Sequence, residues 1–239
     1  MDFKEFKQYF SETRANRYVI AAGNSTDKAI RLYKANLKIA QAFHPLLGIL
    51  EVALRNRLND TLADYFTDPD WILNQKTGFM VAPSLTFVNK RTGKTEINSF
   101  LEQEVVKAER KILKTGKFVI SEKIVAEQTM GFWTELFEIT HYRLLKGTPI
   151  QIFKTLPTGV GRKEVSDKLG CIRRFRNRIN HNEPICFVGN SIDFTATLEV
   201  YNSILHILSW MDVALVKFVA DMDKVQKTIA TAKKIQQKR

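Results

Sequence analysis

The chain is poor in cysteine, glycine, proline and acidic residues. Cys171 and Cys186 are the two cysteines among 239 residues, with no CxxC pair and no His/Cys cluster. That excludes a disulfide framework and argues against a zinc site, so we expect no cofactor, no metal and a reducing, cytoplasmic setting. Eleven glycines and six prolines leave few places to turn. Asp and Glu number 25 against 37 Lys and Arg, a formal charge of +12 and a pI near 9.7. This imbalance favours an anionic partner, nucleic acid first, although a basic protein without a polyanion ligand has the same composition. The N-terminal MDFKEFKQYF is charged throughout and does not read as a signal peptide. The most apolar stretch, SILHILSWMDVALVKFVA, holds Asp212 and Lys217 and is short, so it reads as a buried helix and no membrane is expected as a partner.

What is there is mostly helical periodicity. Ile30, Tyr33, Leu37, Ala40 and Phe43 recur at three- and four-residue steps, with Asn24 and Ser25 as N-caps. Pro45 is expected to interrupt, and a second helix to carry Leu47, Leu50, Leu54, Leu58 and Leu62 to about Phe66. Residues 67–98 contain prolines, glycines and the β-prone pieces FMVA and LTFV, which predict an elaborated connection with a hairpin turning near Arg91–Gly93. Ser99 and Glu102 suggest a capping box opening a helix to about Leu113. Further helices are expected over 121–146 and 162–182. A long final one starts near Asp193, with Phe194, Leu198, Tyr201, Leu205 and Leu208 on one stripe and a basic tail over 222–239. The expectation is one predominantly helical domain spanning 1–239.

The segment 162–182 carries the most chemistry. Val165, Leu169, Ile172 and Ile179 mark a buried seam, and Arg176 falls within it or at its edge. A guanidinium there is costly to desolvate without an anion. His181 follows five residues later, with Arg174, Asn177 and Arg178 on neighbouring helical positions. Pro184 disfavours helix at Glu183, so the helix should stop near Asn182 and leave His181 in its last turn.

Arg176 to His181 has the R-x4-H pattern of HEPN-superfamily ribonucleases, and the longer RFRNRINHNEPI resembles the motif of the Abi-like abortive-infection proteins in that group. GILEVALRNRLND at 48–60 and GFWTELF at 131–137 agree with the same resemblance, and the three segments follow one another in the expected order over 48–185. Asn180 departs from the small residue expected there, which bears on packing or substrate access. The resemblance implies an all-α HEPN-like bundle that dimerises so that two motifs face one cleft, and metal-independent RNA cleavage in a bacterial anti-phage or toxin-like system. It implies Arg176 and His181 as the catalytic pair, and RNA, a second copy and an antitoxin protein or regulatory RNA as partners.

Asn177, Asn182 and Glu183 either support the pair or simply form the turn before Pro184. Arg173, Arg174 and Arg178, where they meet RNA, are expected to meet phosphates. Glu51 and Arg55 are an i, i+4 pair, either structural or turned toward the cleft. His44, His141 and His206 read as structural, and Trp71, Trp133 and Trp210 as core. Two other functions keep the same residues: an RNA-binding module that does not cut, and a helical oligomerisation scaffold.

Overall fold

The computed structural model describes residues 1–237, so Lys238 and Arg239 of the expected basic tail lie outside the described residues. The fold is all-α. In chain order the helices begin with α1 (Phe3–Phe10), α2 (Glu12–Ala21), α3 (Thr26–Phe66) and α4 (Trp71–Asn74). Three 3-10 turns and the strands β1 (Thr86–Val88) and β2 (Thr95–Ile97) follow. Next come α5 (Phe100–Lys114), α6 (Ser121–Glu127), α7 (Met130–Glu135), α8 (Ile139–Leu144) and α9 (Arg162–Asn180). The pair β3 (Phe187–Val188) and β4 (Ser191–Ile192) precedes α10 (Thr195–Met211), α11 (Val213–Val219) and α12 (Val225–Gln237). Residues 1–49, 174–209 and those from 214 onward form one compact unit, and 50–173 with 210–213 form a second.

Pro45 does not break α3, which runs unbroken for 41 residues. An interior proline costs about 3 kcal/mol in a helix, but Phe43, Leu46, Leu47, Leu50 and Leu54 around it are all buried, each contributing roughly 1.5–3 kcal/mol. The whole leucine seam from Leu47 to Leu62 is buried as expected. Upstream, Tyr33 and Phe43 of the expected stripe are buried and Ile30 and Ala40 half-buried, but Leu37 is exposed, and Ala29, Leu32, Asn36 and Ile39 complete the buried face. Ser25 caps α3 by accepting the Lys28 amide at 3.3 Å. Among the described residues α3 is the one helix long and apolar enough, by length and composition, to cross a membrane, and 33% of its apolar window is buried in the protein. Its core seam supplies much of that apolar character.

In the first unit an aromatic chain ties the elements together. Phe6 and Tyr18 meet Tyr33 edge-on at 5.0 and 5.3 Å, Tyr18 meets Phe187 at 4.9 Å, and Phe43 meets Phe175 at 4.7 Å. The second unit centres on Trp71, Phe79, Phe132 and Trp133, with the Trp71 indole donating to Asn59 at 3.1 Å. Trp71, Trp133 and Trp210 are all buried.

The hairpin forms where the sequence places it, with Thr86 opposite Ile97, and Gly93 at φ +68 allows its turn. FMVA forms a 3-10 turn instead of a strand. Ser99 does not build a capping box. It precedes α5 without a cap bond, and its hydroxyl accepts from the Gln103 side-chain Nε2 at 2.9 Å. The expected helix over 121–146 is three short ones, and the final helix divides first at Asp212 and again over 220–224. At the first break, the Trp210 carbonyl accepts from the Thr155 amide at 3.0 Å and Asp212 pairs with Lys154 at 2.9 Å.

Candidate active site

The buried seam of α9 is Val165, Leu169, Ile172, Phe175 and Ile179. Arg176 sits at its edge, half-buried, while Arg174, Asn177 and Asn180 are exposed. The helix then ends in a Schellman turn. The Asn182 amide donates to the Ile179 carbonyl at 2.9 Å and the Glu183 amide to the Arg178 carbonyl at 2.8 Å, with Asn182 left-handed at φ +51. His181 is therefore the cap residue immediately after α9, its amide still donating to the Asn177 carbonyl at 3.0 Å and its imidazole exposed.

Arg178, Asn182 and Glu183 build that turn. A hydrophobic contact often closes a Schellman motif between the residues flanking it. Here Arg178 and Glu183 stand in for it as an ion pair at 3.4 Å, and the Arg178 guanidinium also donates to the Pro184 carbonyl. The pair is 40% and 49% exposed, so its energetic worth is under about 1 kcal/mol. Its effect is geometric: it fixes where the chain leaves the imidazole.

The next residue is anchored from both sides. The Ile185 amide donates to the Asn36 side chain at 2.9 Å and its carbonyl accepts from Thr197 at 2.8 Å. Cys186 follows, its thiol pushed up to about 12 because burial outweighs the lowering by Thr197 and Arg178. It is a packing residue and not a nucleophile. Neither Asn36 nor Thr197 was singled out from sequence. An asparagine in the buried phase of α3, between Tyr33 and Ile39, is the signal that could have found the first.

Arg173, Glu51 and Arg55 belong to the second unit, whereas Arg174, Arg176, Asn177, Arg178, His181, Asn182 and Glu183 belong to the first. Arg173 lies by GFWTELF: a Cβ added at Gly131 would stand 3.7 Å from its Nη1. Its charge also acts on Glu135. Burial alone would raise the Glu135 carboxyl. Polar contacts from His141 and Asn98, with the charges of His141 and Arg173, outweigh burial and hold it below the usual carboxylate range. Asn98 donates to Glu135 at 3.2 Å and His141 Nδ1 stands 3.4 Å away, fully buried. His141 is thus a core residue, while His44 and His206 are exposed. Arg55 lines a mixed-sign cavity of about 560 Å³ with Asp60, Asp70 and Glu122. Both Glu51 and Arg55 are half-buried. Among the described residues no three His, Cys, Asp or Glu side chains cluster to hold a metal.

A model of the Abi-like protein family matches residues 1–186, from α1 through the turn that follows α9. No curated protein and no solved structure matches the chain. With the family model covering 186 of the 239 residues, all three resembling segments included, the chain belongs to the family of Abi-like proteins.

Proposed function

We propose that this chain is a metal-independent endoribonuclease of the HEPN kind, acting in bacterial abortive infection against phage, with Arg176 and His181 of two copies around one scissile phosphate. The observation that carries the reading is the presentation of the R-x4-H motif: an exposed imidazole at the very end of α9, held by a closed turn, with a half-buried guanidinium five residues before it. On a regular helix that spacing turns the two groups about 140° apart and separates them by about 7.5 Å along the axis. One chain's motif offers a single imidazole and a single guanidinium, and a second copy supplies the opposing pair across a shared cleft.

The chemistry suits these groups. The RNA 2′-oxygen attacks the adjacent phosphorus as a neutral imidazole takes its proton, and the 5′-oxygen leaves with a proton from an imidazolium. The guanidinium balances charge on the phosphorane oxygens. The products carry a 2′,3′-cyclic phosphate and a 5′-hydroxyl. In this reading Arg174 and Asn177, exposed on the same helix, meet the RNA backbone. Arg178, Asn182 and Glu183 hold the turn, and Glu51, Arg55 and Arg173 support the fold. Restraint by an antitoxin protein or a regulatory RNA fits a toxic activity of this kind.

The test compares wild type and His181→Ala on mixed structured and single-stranded RNA in EDTA. Cleavage by wild type alone, with binding retained by the variant, supports the enzyme. Equal binding without cutting supports a non-catalytic RNA-binding module. An absence of RNA affinity, or affinity indifferent to salt, supports a scaffold. A requirement for added divalent metal contradicts the mechanism.

A further inference from the structure

Within the first unit, the N-terminal half of α3 and α12 enclose an open trough of about 830 Å³. Its rims are basic. Arg31, Lys34 and Lys38 recur along one wall, and Lys224 and Lys227 stand at the start of the other, all five exposed. Among the described residues no aspartate or glutamate lines the trough. Its floor is apolar: Ala35, Ala42 and Ala232, with Pro45, Met222 and Ile235. The hydroxyls of Thr228 and Thr231 donate back to the carbonyls of Lys224 and Lys227 at 2.7 and 3.0 Å, so those protons are used within α12.

The trough is separate from the R-x4-H motif. Asn36 turns one face of α3 to Ile185, just beyond His181. Lys38 lies about 200° round the helix from Asn36 and Pro45 about 180°, so both trough residues lie on the opposite face of α3.

Charge on the rims calls for an acidic occupant, and the floor decides which. Single-stranded RNA is held by stacking bases on aromatic rings as well as by cations, and among the described residues no aromatic side chain lines the trough. A lipid surface needs an apolar face that can sink into the bilayer, whereas this apolar floor is recessed between two helices. An α-helix is about 10–12 Å across and lays an apolar stripe into such a groove while its flanks meet both rims. We propose that this trough binds an acidic amphipathic helix of a partner protein, leucine-like side chains seated on the apolar floor and carboxylates paired with the two lysine rims. The inference stands apart from the ribonuclease reading, because its readout is binding alone.

The probe is a fluorescein-labelled synthetic helix with leucines on one stripe and glutamates on its flanks, followed by anisotropy. A scrambled peptide of the same composition and an oligo-uridine serve as comparisons. The intact chain should bind the striped peptide about tenfold or more tighter than the scrambled one. The double variant Lys34→Glu, Lys38→Glu, and separately Lys227→Glu on the other wall, should each weaken it about tenfold. Thr231→Trp, which fills the trough from an exposed position, should weaken the peptide and leave oligo-uridine affinity unchanged. Circular dichroism verifies that each variant is folded. Equal binding of the scrambled peptide, or indifference of the striped one to Thr231→Trp, overturns the proposal. Oligo-uridine binding lost in both the charge and the Trp variants overturns it in favour of RNA.

Discussion

The side chain of Asn36 accepts the backbone amide of Ile185 at 2.9 Å across 149 positions of sequence, while Thr197 donates to the carbonyl of the same residue at 2.8 Å. Asn36 is 4% exposed and Thr197 is fully buried, so these bonds have no water to replace them. Removing one partner leaves a buried polar group unpaired, at a cost of about 1–3 kcal/mol. Asn36→Leu, apolar and otherwise suited to the seam, is therefore expected to lower the urea midpoint with an unchanged slope. Leu37→Gln, next door but exposed, should stay within about 0.5 kcal/mol of wild type. Equal losses in the two variants would show that Asn36 matters through helix α3 in general and not through Ile185.

Glu135 gives a pH signature. Its carboxyl is held below its ordinary value of 4.5 in the folded chain, so the folded state favours the charged form. A depressed folded pKa contributes stability that is complete above the unfolded value and is lost as pH falls through the folded one. The stability gap between wild type and Glu135→Gln should accordingly be constant near neutrality and shrink below about pH 4.5. Thermal melts of both proteins across that range measure it. A gap that widens on acidification contradicts the assignment of His141, Asn98 and Arg173 as partners of a carboxylate.

Which parts of this were legible in the sequence follows from the range of the forces involved. The seams Leu47–Leu62 and Val165–Ile179 are readable because each residue repeats at the helical period and is buried for that reason alone. The hairpin is readable from Gly93, and the end of α9 from Pro184. What escapes is whatever depends on a distant partner. The helix over Pro45 persists through burial, which no local propensity records. The stop at Asp212 involves Lys154 and Thr155, more than fifty residues away. The pair β3–β4 has two residues per strand, too few for an alternating pattern. At the motif, the positions of Arg176 on α9 and of His181 just past its end could be read directly. The Arg178–Glu183 pair, the left-handed Asn182 and the anchoring of Ile185 exist only in the folded chain, because the residue types alone suit phosphate contacts equally well.

Asn182 tests the turn beneath the imidazole. It is left-handed at φ +51, a conformation that costs an ordinary L-residue about 1–2 kcal/mol, asparagine less and glycine least. Asn182→Gly should keep wild-type stability to within about 0.5 kcal/mol. Asn182→Val should lose about 1–2 kcal/mol, since a β-branched side chain resists positive φ. Chemical denaturation ranks the three proteins. On the proposed function, Asn182→Val also loses RNA cleavage at temperatures where it remains folded, because the turn no longer sets the outlet of His181. Full activity in a folded Asn182→Val would separate the turn from the chemistry.

The number of chains at one site has its own signature in the kinetics. Because one chain supplies a single motif imidazole, while the proposed reaction uses one imidazole as base and another as acid, it draws its groups from two copies. Specific activity should then fall as the protein is diluted through its dimer dissociation constant, whereas an active monomer would keep it constant. Mixing supplies the complementary measurement. Adding a folded excess of His181→Ala to wild type should suppress cleavage, since the heterodimer lacks one imidazole of the opposing pair. Arg176→Ala should suppress it as well, through the missing guanidinium. A variant whose α9 is intact but which does not associate would leave wild type untouched, and sedimentation of the same mixtures identifies it. Suppression that tracks heterodimer content supports a shared site, and dilution-independent activity with no suppression by either variant places both groups of each reaction on one chain.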